Sequence, residues 1–215
     1  MTSRHRAFAT FALIAVVVWP VTLSAQPLRA LEPLDATGRV TYFIAEGVAG
    51  TEYRQSDRNL ATWALKAWGR SVGGALRFEP SLEEGALVRI YWVPANAGQY
   101  GEMRPLSLAG RRGAAVYVRP DTGALGGDIA GLARLDPLFR DVVVYLTCLH
   151  ELGHALGLEH TDAFADIMYF FGYGGDIPAF FNRYRAQVRR RDDIATVSGL
   201  SAGDIERVLA LYRGN

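Results

Sequence analysis

His150, Glu151, His154 and His160, within TCLHELGHALGLEHTDAFADIMY (Thr147–Tyr169), are the residues best placed to do chemistry. The chain has four histidines, and three of them fall within these eleven positions. They sit at the end of an apolar run, Phe139 to Gly157, in which Val142, Val143, Val144, Leu146, Leu149, Leu152, Ala155 and Leu156 leave little polar face. That pattern predicts a largely buried helix. On it His150 and His154 stand at i and i+4, one above the other. Their ring nitrogens can converge on one ion, with Glu151 leaning over the same edge. Gly157 predicts a sharp turn with positive φ that ends the helix. His160 can then return to the ion from another direction. Three histidines around zinc leave one coordination position open to water, the arrangement of catalytic sites. Cys148 lies two residues before His150, roughly 200° round the helix at about 100° per residue, and reads as a buried structural thiol.

The rest of the chain must hold this group. At 215 residues, with 50% hydrophobic content, it has room for one domain with an ample core. A formal net charge of +1 gives no footprint for nucleic acid. Residues 1–25 read as a cleavable export signal, with Arg4 and Arg6 before the apolar run AFATFALIAVVVW and Ala25 at the cleavage point. The expected location is therefore secreted or periplasmic. Residues 26–38 read as a leader without periodicity, and residues 39–215 as the working domain.

Five strands are predicted: RVTYFIA, LRFEP, ALVRIYWVP, MRPLSL and GAAVYVRP. Pro105 makes MRPLSL a candidate edge strand. Thr51 to Arg70 reads as a helix whose stripe is Leu60, Trp63, Ala64, Ala67 and Trp68. The last helix opens at Ser201, with Asp204 completing a capping-box variant, and its stripe is Ile205, Val208, Leu209 and Tyr212. The expected class is α+β: a twisted five-stranded mixed sheet, three main helices and one inserted helix.

HELGHALGLEH is the long H-E-x-x-H-x-x-G-x-x-H pattern, and it resembles the zinc motif of the metzincin metallopeptidases. Met168, eight residues after His160, fits their methionine turn. Thr161 after the third histidine and Tyr169 after the methionine resemble matrixins most, whereas Phe170 stands where astacins and serralysins place a tyrosine. WALKAWGRSVGGALRFEP and LSAGDIERVLALYRGN resemble matrixin elements too. The resemblance implies one catalytic zinc on His150, His154 and His160, with Glu151 as general base, Gly157 and Met168 in support, and a protein or peptide substrate extended along the edge strand. No histidine remains for the second zinc of vertebrate matrixins, and no cysteine for their propeptide switch. Asp121, Asp128 and Asp136 could offer oxygens to Ca2+. A solvated glycine-rich loop is the plainer reading of that stretch.

Residues 170–199 form an interruption longer than a matrixin would lead one to expect. FFGYGG reads as aromatic and flexible. Beyond it Ile177, Phe180, Phe181, Tyr184 and Val188 make an amphipathic stripe, with Asp176 as cap, Pro178 in the first turn, and Arg183, Arg185, Arg189, Arg190 and Arg191 opposite. Three readings stand, a helix packed on the body, peripheral membrane contact through 177–191, and a wall or lid over the substrate pocket, of which the last is favoured. For the whole chain, the alternatives to a secreted zinc endopeptidase are a zinc amidase acting on cell-wall peptides and a non-catalytic binding module.

Overall fold

The computed structural model describes residues 31–36, 38–96 and 99–212. The export signal and the start of the leader lie outside the described residues. One sheet carries the expected strands: β1 (Arg39–Ile44), β2 (Arg77–Pro80), β3 (Val88–Trp92), β4 (Gly101–Leu108) and β5 (Arg111–Val118), in the order β2-β1-β3-β5-β4. The first four in that order run parallel, and β4 closes the edge antiparallel to β5, with Pro105 opposite Ala114. Alternation sends Val88, Ile90 and Trp92 inward with Ala114, Val116 and Val118. The α+β architecture is the one the sequence predicts.

Against the sheet lie α1 (Asp57–Ser71), α2 (Gly127–Leu135), α3 (Pro137–Ala155), α4 (Ile177–Arg185) and α5 (Ala202–Tyr212). Asp136 caps α3 by accepting from Leu138 N at 3.0 Å, and Pro137 opens it. All but three of its residues are buried, as its apolar run requires. Trp68 of α1 reaches across to donate from Nε1 to the Leu149 carbonyl at 3.0 Å.

Three expectations need correction. First, α2 occupies the stretch read as a glycine-rich loop. Its glycines weaken helix propensity, but Ile129 and Ala130 bury against α3 and tertiary packing wins. The aspartates there do not gather for calcium: Asp121 accepts from Gly123 N, Asp136 is taken by its cap and by Arg185 at 2.6 Å, and Asp128 sits exposed in the first turn of α2. Second, residues 31–36 of the leader belong to the body. Leu34 is buried, and Asp35 accepts from Arg112 N at 2.6 Å. Third, α1 begins at Asp57 and not near Thr51.

Asp57 explains that start. It is fully buried and takes a two-pronged ion pair from Arg140 of α3, with Nη2 to Oδ2 at 2.8 Å and Nη1 to Oδ1 closer still. Arg191 joins from the far side, donating to Asp141 at 2.8 Å and to the Ser56 carbonyl at 2.6 Å. One ladder of charge thus ties α1, α3 and the segment after α4. Breaking a buried pair strands its partner charge. Arg140→Met should destabilise the fold by about 3–5 kcal/mol in denaturant unfolding; a loss below about 1 kcal/mol would place this pair among weak surface bridges.

Candidate metal centre

His150 and His154 rise from the last two turns of α3, and Gly157, at φ 97°, turns the chain back as its position in the motif predicts. A Cβ at Gly157 would also stand 2.8 Å from Pro33 N, so the leader crosses where only glycine fits. His160 completes the group: one ligand atom from each of the three rings lies within 4.8 Å of the others. Among the described residues this is the one such cluster of histidine, cysteine or acidic groups.

Two hydrogen bonds set its chemistry. His150 Nδ1 meets the Ile167 carbonyl at 2.7 Å, and His154 Nδ1 meets the Leu158 carbonyl at 2.8 Å. A carbonyl can only accept, so each Nδ1 carries the proton and each Nε2 keeps its lone pair. His154 Nε2 then faces His160 Nε2 at 3.1 Å. Burial lowers the imidazole pKa of His150 to about 3 and of His154 to about 4, so both stay neutral, the form that binds metal. Convergent neutral nitrogens with outer carbonyls behind them fit a zinc ion.

Glu151 lies on the same helix and opens into the same cleft, which encloses about 620 Å³. Burial raises its carboxyl pKa to about 8; Arg119 opposes that shift and Glu102 adds to it. The edge strand passes close by. A Cβ at Gly101 would come within 2.6 Å of Glu151 Cγ, so β4 can approach the carboxylate only as glycine. Cys148 is fully buried, and burial raises its thiol pKa far above the usual range, in keeping with a structural role.

Beneath the histidines Met168 is fully buried, and Gly153 makes room for it, since a Cβ there would overlap the sulfur. Residues that the spacing does not reveal hold this turn. Asp204 of α5 is fully buried and accepts from Ile167 N at 2.8 Å, besides closing the predicted capping box with Ser201. Asp166 accepts from Thr161 Oγ1, Ser201 Oγ and Arg207 Nη2 at 2.6–3.0 Å. The buried face of α5 carries Asp204 with Val208 and Tyr212, the last two as expected, while Ile205 and Leu209 are half-buried. A buried carboxylate inside a cap leaves no trace in a sequence beyond the capping pattern itself.

The matrixin family model matches residues 35–180, more than half of the chain and the whole histidine motif. The chain belongs to the matrixin family. It is thus a metallopeptidase of the zinc-dependent kind, and its sheet and helices are those of a matrixin catalytic domain. No curated protein matches the chain. In this matrixin Ile167 accepts from His150 through its carbonyl and donates its own N–H to Asp204. Asp204→Ala should therefore destabilise the protein by about 1–3 kcal/mol, the effect of stranding buried donors, and should weaken zinc retention in the same preparation. Unchanged zinc retention would separate α5 from the site.

Proposed function

We propose that the protein is an exported zinc endopeptidase that cleaves extended protein or peptide segments laid along β4. The observation that carries the reading is that the three histidines and Glu151 open onto one cleft whose rim is the edge of the sheet. An edge strand offers free backbone donors and acceptors to an extended peptide. When bound, zinc supplies a Lewis acid that acidifies water and polarises a carbonyl. Glu151 takes a proton from the attacking water and passes it to the leaving amine. The raised carboxyl pKa that burial produces suits a group that must both accept and release a proton near neutrality. Residues 1–25 supply the export signal, and N-terminal sequencing of the protein from culture fluid would test that part.

The segment after Met168 forms the inner wall of the cleft. Phe171, Phe180 and Phe181 line it together with Leu146 and Tyr100. Burial of Phe180, Phe181, Tyr184 and Val188 in the body supports a packed wall over a lid. Asp176 caps α4 by accepting from Ala179 N, as its position predicts. The basic face is largely engaged: Arg183 donates to the Phe164 carbonyl, Arg185 pairs with Asp136, and Arg191 with Asp141. An aromatic chamber next to the reacting bond should select a large apolar side chain just after it.

Glu151→Gln should keep one zinc per chain and lose activity on unstructured protein by at least about 100-fold, the usual worth of a general base. Near-wild-type turnover would remove Glu151 from that role. Parallel assays on peptidoglycan decide between endopeptidase and cell-wall amidase, and wild-type protein inert on both would point to a binding module. Gly101→Ala should lower kcat through displacement of Glu151 while zinc content stays constant; an unaltered kcat would show that the carboxylate tolerates the extra methyl.

A further inference from the structure

Two of the three ligand rings are fixed through the backbone, and the third is fixed differently. His150 and His154 each aim Nδ1 at a carbonyl. The contacts that the described residues give His160 are to its fellow ligands and to an aromatic ring. It is also the exposed member of the three. Phe170 lies against its face, with ring centroids 4.7 Å apart and planes 29° from parallel. Tyr173 in turn meets Phe170 edge-on, at 5.4 Å and 89°.

The backbone is built to bring these rings there. Phe170 N donates at 3.1 Å to the carbonyl of Thr161, the residue after His160, and Thr161 N donates to the Met168 carbonyl at 2.9 Å. Gly172 is the hinge of the arrangement. A Cβ at that position would fall on the Phe170 ring, so the ring can fold back over its own turn only because residue 172 has no side chain. Gly174 and Gly175, at φ 93° and 91°, then lead the chain away. FFGYGG thus sets two rings in sequence, Phe170 on His160 and Tyr173 on Phe170. Phe170, which lines the cleft, and Tyr173 remain 43% and 64% exposed, so burial of apolar area is a poor account of why the two rings stand in this order.

We propose that Phe170, braced by Tyr173 and admitted by Gly172, is a positioning residue that holds the His160 imidazole in its ligand orientation. It takes the place that a hydrogen-bonded outer partner occupies for the other two histidines. The inference rests on the zinc reading of the site and deepens it. A ring already ordered by stacking loses less rotamer freedom when it binds the ion, and a ligand held in place recaptures the ion faster once a bond opens.

The test uses the purified protein loaded with zinc. Stoichiometry is measured first, and release to a chelator is then timed for wild type, Phe170→Ala, Phe170→Leu, Phe170→Trp and Gly172→Ala. Phe170→Ala should release zinc about 10–100-fold faster, the range for loss of an outer partner. Leucine, apolar but not planar, should resemble alanine, and tryptophan should return the rate close to wild type. Gly172→Ala removes no ring and should still accelerate release by displacing Phe170. Cobalt-loaded Phe170→Ala should show altered visible absorption, because one ligand tilts. Metal-free variants should melt with wild-type protein, which separates loss of positioning from loss of fold.

Wild-type release rates in both Phe170→Ala and Gly172→Ala would overturn the proposal. So would a change confined to KM, which would make the rings a substrate surface only. Zinc-loaded wild type that cleaves nothing would sink the peptidase reading and leave this one standing. Wild type that binds no zinc would sink both.

Discussion

Each of two imidazoles donates its Nδ1 proton to a main-chain carbonyl, and α3, the turn around Met168 and α5 meet around those carbonyls. The acceptor for His154 is Leu158, just past Gly157, so the glycine turn supplies it directly. The acceptor for His150 is Ile167, which is remote in sequence and needs more support. Its N–H is held by Asp204, its neighbour Asp166 is held by Ser201 and Arg207, and Met168 fills the space that Gly153 leaves open. Such an arrangement spreads control of a three-residue site over α3, the methionine turn and α5. Outer partners of this kind set the tautomer and the direction of a ligand, which chemistry at the metal depends on.

The segment after the methionine turn serves two masters. Phe180 and Phe181 complete the core against α3 while also facing the cleft, and Arg191 joins the buried charge ladder at Asp141. A wall that is at once core and pocket cannot vary freely. Substitutions that would alter what the cleft admits also disturb packing at near-crystalline density, where a single methylene is felt. The shape of the cleft is thereby coupled to stability, and Arg189 and Arg190 are the exposed arginines of that stretch.

The clustering of His150, His154 and His160 is legible in the chain because its spacing is itself the geometry: i and i+4 on a helix, then a glycine turn, then a third histidine. Strand alternation likewise places Val88, Ile90 and Trp92 inward. What the sequence hides has a common cause. Arg140 and Asp57 are 83 positions apart, and Asp204 lies 37 positions from Ile167, so no local pattern joins them. The helix α2 escapes a local reading because glycine propensity argues against an element that tertiary burial nonetheless stabilises. FFGYGG misleads in the opposite direction. Gly172 leaves the volume that the Phe170 ring fills, and Gly174 and Gly175 turn the chain at φ 93° and 91°.

One hydroxyl group links the two ends of the described chain. Leu34 N donates to Tyr212 Oη at 3.0 Å, and that hydroxyl donates to the Leu156 carbonyl at 3.0 Å, in the turn that leads to His160. The practical meaning is for anyone shortening or fusing the polypeptide. A boundary drawn after Leu34, or before Tyr212, would detach a strut whose inner end is the turn before His160. Tags belong outside that clasp, because a truncation inside it removes a hydrogen bond that ends at the close of α3.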